Sequence, residues 1–258
     1  MVNLKNYNVG IKYFVLFLTF AGVVSCSQQK LYVSKIEGRE IGITDKAGSK
    51  TEIENFIKPY RENIDKDLNT VLAYAPETID KSGLWQTPMG DMFANAVMLR
   101  GNPVFQRREG QSIDIVMLNH GGIRTIIPKG DVTTRTAFEI MPFENNLVVV
   151  GLKTPAIMEM IRFIIADKKP HPLTGLTFTI DKTGQPVNIL IQGKGIETNK
   201  LYFVATNDYL YNGGDNMTFF KKGKLFETDY KLRNVLIDYF KDVDTIPIIK
   251  DVKITVEK

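Results

Sequence analysis

Two places in this sequence leave an apolar, β-prone run and break at once into a paired-glycine loop. They limit what the chain can fold into more than any other feature does. The first run, Ile113-Asp114-Ile115-Val116-Met117-Leu118, opens into Asn119-His120-Gly121-Gly122-Ile123-Arg124. The second, Leu201-Tyr202-Phe203-Val204-Ala205, is followed by Asn207-Asp208-Tyr209-Leu210-Tyr211-Asn212-Gly213-Gly214-Asp215. Glycine pairs remove Cβ atoms where a backbone must turn sharply or lie close to another group. Both loops are flanked by side chains able to bind a polar ligand, and the second adds an aromatic ring and a carboxylate.

The rest of the pattern predicts an α+β fold with a mixed β-sheet and packed helices. Residues 1–26 read as a lipoprotein signal peptide. Lys5 and Lys12 precede the apolar run Tyr13 to Val24, and Val23-Val24-Ser25-Cys26 matches a bacterial lipobox whose cysteine is lipidated. An ordinary signal peptide or a short membrane anchor is the alternative. Residues 27–75 form a tether, then a strand or hairpin over 31–44, then a long amphipathic helix from Thr51 to about Leu72 that Pro59 kinks or divides. Residues 76–258 form the main domain. In it, Thr87 caps a helix that starts at Pro88 and is ended by Gly101-Asn102-Pro103. Leu147 to Leu152 is a buried strand, Thr154 to Ile165 a helix, and Leu176 to Ile180, Val187 to Ile191 and Leu201 to Ala205 a meander. A helix over 230–240 and a strand over 251–256 close the chain.

Composition excludes several functions. Cys26 is the single cysteine, so the mature chain has no internal disulfide and no cysteine-based metal site. Without the leader lysines the net charge is about +2, too mild for nucleic-acid binding. The chain holds two histidines, His120 and His171, and nothing of the Asp-x-His or Gly-Asn-His-Glu kind. A two-metal hydrolytic centre needs more ligands than that. No catalytic residue, metal ligand or cofactor is therefore assigned to this chain, and both histidines read as surface or supporting residues.

A ring, a carboxylate and an arginine supply what a nucleotide needs: a stacking surface, a partner for ribose hydroxyls and a cation for phosphate. The same residues carry a family resemblance. Thr87-Pro88-Met89-Gly90, then Asn-x-Gly-Gly-Ile-Arg, then Pro142-Phe143-Glu144-Asn145-Asn146, then Asn-Asp-Tyr-Leu-x-Asn-Gly-Gly-Asp stand in one order. That series resembles the C-terminal, substrate-binding domain of bacterial 5′-nucleotidases and UDP-sugar hydrolases. The resemblance implies that Phe143 and Tyr209 sandwich the base and that Asp215, on the loop of Gly213 and Gly214, takes the ribose hydroxyls. It implies that Asn119 touches base or ribose and that Arg124 meets ribose or phosphate. Each has a purely structural alternative: core packing for the rings, turn support for Asn119 and Asp215, a solvated Arg124. The family's further arginine has no direct match; Arg100 is chosen over Arg107 and Arg108. His120 stands where the family commonly has glycine.

The metallophosphatase half of that family is not in this sequence. The implied function is a nucleoside- or nucleotide-binding specificity subunit of a two-part phosphohydrolase in nucleotide catabolism, inactive alone. Its partner would be a separate metallophosphatase that holds the divalent metals. The implied location is the cell envelope, lipid-anchored through Cys26 outside the inner membrane. The alternative is a stand-alone nucleoside-binding lipoprotein for scavenging or sensing.

Overall fold

The structure is a computed structural model and describes residues 4–24, 32–42, 44 and 48–257. Cys26 and the lipobox end lie outside the described residues. The chain divides into two units, residues 1–53 and 54–258. The first carries α1 (Leu4–Val24). No helix of the described residues is long and apolar enough to cross a membrane. The strand or hairpin expected over 31–44 is not found: residues 32–42 carry no strand, and Tyr32, Val33, Ile36 and Ile41 are exposed. Alternation makes a strand only where a neighbouring edge accepts its hydrogen bonds, and among the described residues no strand pairs with 32–42.

Next comes α2 (Thr51–Leu68), which runs through Pro59 unbroken. It ends before the expected Leu72, because Val71–Ala75 is a strand, β1. β1 pairs antiparallel with β3 (Gly130–Thr133). Thr87 caps α3 (Pro88–Glu109), its side chain accepting the Gly90 N–H at 2.9 Å. This helix continues for two more turns past the Gly101-Asn102-Pro103 expected to stop it, to a left-handed cap at Gly110. All three residues have other tasks. A Cβ on Gly101 would lie 2.8 Å from Leu147 Cδ2, so glycine there allows close packing. Asn102 Oδ1 accepts the Ile113 N–H at 2.8 Å. Pro103 withholds only the N–H that would reach the carbonyl of Leu99, on the exposed side of the helix.

The centre of the main unit is a five-stranded sheet in the order β10-β4-β9-β2-β5. Its members are β2 (Ile115–Met117), β4 (Asn146–Lys153), β5 (Leu173–Thr174), β9 (Leu201–Asn207) and β10 (Lys224–Lys231). β2 and β9 are parallel while β4 and β9 are antiparallel, so the sheet is mixed as expected. Both faces are covered. Val116, Leu118, Leu147 and Val149 pack with α3, α4 (Thr134–Ile140) and α7 (Leu232–Asp242). Ile115, Met117, Val148 and Val150 face α5 (Thr154–Asp167). Burial on two sides explains why β2 and β4 read as continuous apolar runs.

The expected meander is split between sheets. β6 (Leu176–Ile180), β7 (Pro186–Ile191) and β8 (Lys194–Gly195) form a second sheet with β11 (Ile254–Val256), which lies parallel to β6. β9 leaves them for the central sheet. A Lys253–Asp91 ion pair of 3.0 Å, with both side chains buried, fastens the strand's approach to the first turn of α3.

Candidate functional site

The parallel pairing of β2 and β9 brings the two glycine loops together. Val116 lies opposite Ala205, so both strands deliver their loops at the same end of the sheet. β4 runs the other way, with Leu147 opposite Asn207, which places its preceding residues, Phe143 to Asn145, at that end too. Crevices beyond the carboxyl ends of parallel strands are where open α/β sheets bind ligands.

A cavity of about 350 Å³ opens there. Asn119, Arg124, Phe143, Tyr209 and Asp215 line it, together with Gly121, Gly122 and Asn145. Five of the residues singled out in the sequence thus meet in one place. Phe143 and Tyr209 are 41% and 46% exposed, so neither is a core residue. Two exposed aromatic residues lining one cavity offer π-faces to a flat ligand.

Asp215 is held on both carboxylate oxygens. Asn119 Nδ2 donates to Oδ2 at 2.8 Å, and the Tyr209 hydroxyl donates to Oδ1 at 2.8 Å. A carboxylate has about four acceptor sites, so each oxygen keeps capacity for a ligand hydroxyl. The backbone of Asp215 is left-handed, with φ of 49°, a conformation that costs a non-glycine residue about 1 kcal/mol or more. The bond to Asp215 raises the Tyr209 phenol above its ordinary pKa, and burial adds to this.

The glycines serve as spacers. A Cβ on Gly122 would meet Asn119 Oδ1 at 2.7 Å, and one on Gly214 would meet Tyr209 Cε1 at 2.4 Å. Gly213 turns the chain at φ of 92°. Gly213 and Gly214 are not on the cavity wall; they let the backbone fold against the tyrosine that is.

Arg124 is weakly tied. Its Nη1 lies 3.4 Å from the Gly121 carbonyl, and its guanidinium carbon is 5.9 Å from the Phe143 ring centroid. Arg100 is elsewhere. It pairs with Asp242 and lines a separate cavity with Arg107, Tyr230 and Asp238. Arg108 bonds Asp229 at 2.9 Å. None of the three arginines considered from the sequence completes the site, because α3 directs them toward β10 and α7.

The histidines support the first loop. His171 is 4% exposed, and its Nδ1 accepts the His120 backbone N–H at 3.2 Å. Its Nε2 lies 2.9 Å from Asp167 Oδ2, so the bonded tautomer carries the proton on Nε2 and is neutral. Burial holds the His171 imidazole below its ordinary pKa, against a smaller pull from Asp167. The Leu118 N–H donates to the Pro172 carbonyl at 3.0 Å, a second tie from the same segment. Among the described residues no three His, Cys, Asp or Glu side chains converge as a metal ion requires.

Sequence reasoning missed Asn145 as a lining residue, although it falls inside the Pro-Phe-Glu-Asn-Asn motif. It also missed Lys81, whose Nζ donates to the Ile123 carbonyl at 2.6 Å. Nothing local marks a lysine 42 residues ahead of that carbonyl as its partner.

Comparison with known proteins bears on the family and the fold. The family described as 5′-nucleotidase, C-terminal domain, matches residues 69–222. A trifunctional nucleotide phosphoesterase of Bacillus subtilis is 24% identical over 77% of this chain, which covers 14% of that protein. A cell wall protein of Listeria monocytogenes is 26% identical over 61% of the chain and 21% of its own length. The crystal structure of a 5′-nucleotidase precursor from Thermus thermophilus superposes with a TM-score of 0.66 at 22% identity, covering 79% of this chain and 42% of that one. The chain therefore spans less than half the length of each of these relatives. With more than half of its residues inside the family match and the same fold, the chain belongs to the 5′-nucleotidase C-terminal domain family.

Proposed function

We propose that this chain is the nucleoside- or nucleotide-recognising part of a two-part phosphohydrolase. One observation carries the reading: two exposed aromatic rings share a cavity with a carboxylate whose two oxygens are already aimed by Asn119 and Tyr209. In this reading Phe143 and Tyr209 stack on the base, worth ~1–3 kcal/mol per ring face. Asp215 accepts from the vicinal ribose hydroxyls through charge-assisted bonds. Asn119 fixes that carboxylate, and Arg124 meets the phosphate side with its fork of donors.

The residues of this chain do not fit a two-metal hydrolytic centre, so no bond-breaking step is assigned to them. A separate metallophosphatase would supply it, with this chain holding the substrate in reach. The relatives named above include a nucleotide phosphoesterase and a cell wall protein, which supports nucleotide chemistry at the cell envelope. Anchoring through a lipidated Cys26, removal of residues 1–26, and the division into a 27–75 appendage and a 76–258 domain belong to the same proposal.

The test is to purify the native protein gently from its membranes and assay the eluate for release of phosphate from AMP with added divalent metal. Activity is expected in the native complex, to be lost when the chain is purified alone under denaturing and refolding conditions that restore its nucleoside binding. Metal-dependent hydrolysis of AMP by the pure chain would overturn the division of labour.

A further inference from the structure

Phe143 reaches the cavity from a segment that has no regular structure of its own. Residues 141–145 lie between α4 and β4 and belong to neither helix nor strand. Phe143 is exposed, so its ring takes its direction from the backbone beneath it rather than from core packing. What holds that backbone therefore decides where the ring stands.

Every carbonyl from Met141 to Asn145 accepts a hydrogen bond from Lys231-Leu232-Arg233, where β10 passes into α7. Arg233 Nε donates to the Met141 carbonyl at 2.9 Å, and Nη2 donates to those of Pro142 at 2.9 Å and Phe143 at 3.0 Å. Lys231 Nζ donates to the Glu144 carbonyl at 2.7 Å, and the Leu232 N–H to that of Asn145 at 3.0 Å. Arg233 Nη1 adds a bond of 2.7 Å to the Glu144 carboxylate. Four of the five guanidinium N–H groups are thus spent on one short segment. The guanidinium carbon lies 4.2 Å from the Phe138 ring centroid, and the side chain is only 11% exposed. A planar fork reaches three successive carbonyls, which the single ammonium nitrogen of a lysine cannot do. Just ahead of the segment, the Ile140 carbonyl accepts the Arg124 N–H at 2.9 Å, which joins it to the first glycine loop.

Arg233 is not among the residues that line the cavity, so its effect on a ligand passes through the segment it grips. We propose that Arg233, assisted by Lys231, is a positioning residue that presets the Phe143 ring, so that a flat ligand need not order this segment on binding. That the flat ligand is a nucleoside base rests on the function proposed above; the presetting of the ring does not.

Two measurements on the full chain separate the ideas: ¹⁵N relaxation of the Phe143, Glu144 and Asn145 amides, and calorimetry with adenosine and adenine. Arg233→Lys keeps the charge and loses the fork. It should loosen those amides and weaken both ligands alike, by about tenfold, because both present a base to the ring. Lys231→Met removes one bond at the surface; it should act in the same direction by about threefold, and it carries the test if Arg233→Lys does not fold. In a Phe143→Leu background, where the ring is gone, neither change should weaken either ligand further. An arginine that served only stability would lower the melting temperature without that dependence on Phe143. If the wild type binds neither ligand but Arg233→Lys still loosens the three amides, the presetting stands and the nucleoside reading falls. The inference is overturned if the amides keep their order, or if the folded variants bind as the wild type does. It is equally overturned if the loss is confined to adenosine, or is as large with Leu at position 143 as with Phe.

Discussion

Tyr209 and Asp215 are bonded to each other twice. The phenol donates to Oδ1 at 2.8 Å and accepts the Asp215 backbone N–H at 3.3 Å. The two residues stand on either side of the second glycine pair, so the loop is closed by the groups that face the cavity. The ring that would stack on a base also aims the carboxylate that would hold the sugar.

Replacing Tyr209 with Phe keeps the ring and removes the hydroxyl. Asp215 is then positioned by Asn119 alone, and a hydrogen bond worth about 1 kcal/mol is lost. Adenosine affinity should drop by roughly fivefold, whereas adenine, which has no hydroxyls, should bind as before. Calorimetry with both ligands decides the matter, and an equal loss for the two would show that the hydroxyl does not act through the carboxylate.

Acid should weaken the first loop through His171. Burial holds its imidazole below the ordinary value, and its neutral form is the one that accepts the His120 N–H. In the unfolded chain the group titrates near about 6.5. The stability it contributes is complete above that value and is lost as the pH falls through the lower folded pKa. The urea midpoint of the wild type should therefore decline from about pH 7 toward pH 5 more steeply than that of His171→Asn. Parallel profiles would remove His171 from the explanation.

Lys253 and Asp91 make a buried pair that is costly to halve. Their side chains are 6% and 5% exposed, and Gln86 Nε2 adds a bond to Asp91 at 3.2 Å. Burial raises the Asp91 pKa, and the bond to Lys253 opposes it. Lys253→Met leaves that carboxylate without its cation and should destabilise the fold by about 3–5 kcal/mol. The loss should shrink in acid, where Asp91 takes up a proton. The double variant Asp91→Leu, Lys253→Met should recover much of the difference in chemical denaturation. A loss below about 1 kcal/mol in the single variant would mean that water reaches the pair.

What could be read from the sequence was what is encoded locally. Asn119, Arg124, Tyr209 and Asp215 lie in or beside glycine pairs that follow apolar strands, and Phe143 lies in a short motif of its own, so each is visible in a local window. The pairing of β2 with β9, which unites the loops, is a long-range contact that no window of sequence contains. β10 escaped notice because its register shifts between Glu227 and Tyr230, with Asp229 at φ of 53°, and this breaks the alternation. Gly101 and Pro103 looked like helix breakers because their packing against Leu147 and their exposed face are tertiary facts. Arg100 was placed by its distance from a motif, and helical rotation carried it to Asp242 instead. Lys81 meets the Ile123 carbonyl behind the first glycine loop through the pairing of Ile79 with Ile127, which is again a long-range contact.

The most direct measurement of the central claim is calorimetric titration of the full chain with adenosine and adenine, repeated for Tyr209→Ala and Asp215→Ala. Tyr209→Ala removes a stacked face and should cost ~1–3 kcal/mol, or roughly five- to 150-fold, for both ligands. Asp215→Ala should weaken adenosine and leave adenine nearly unchanged, since the free base offers no vicinal hydroxyls. Saturable binding with that asymmetry is the expected result. No binding by the wild type, or undiminished adenosine affinity in both folded variants, would contradict the account.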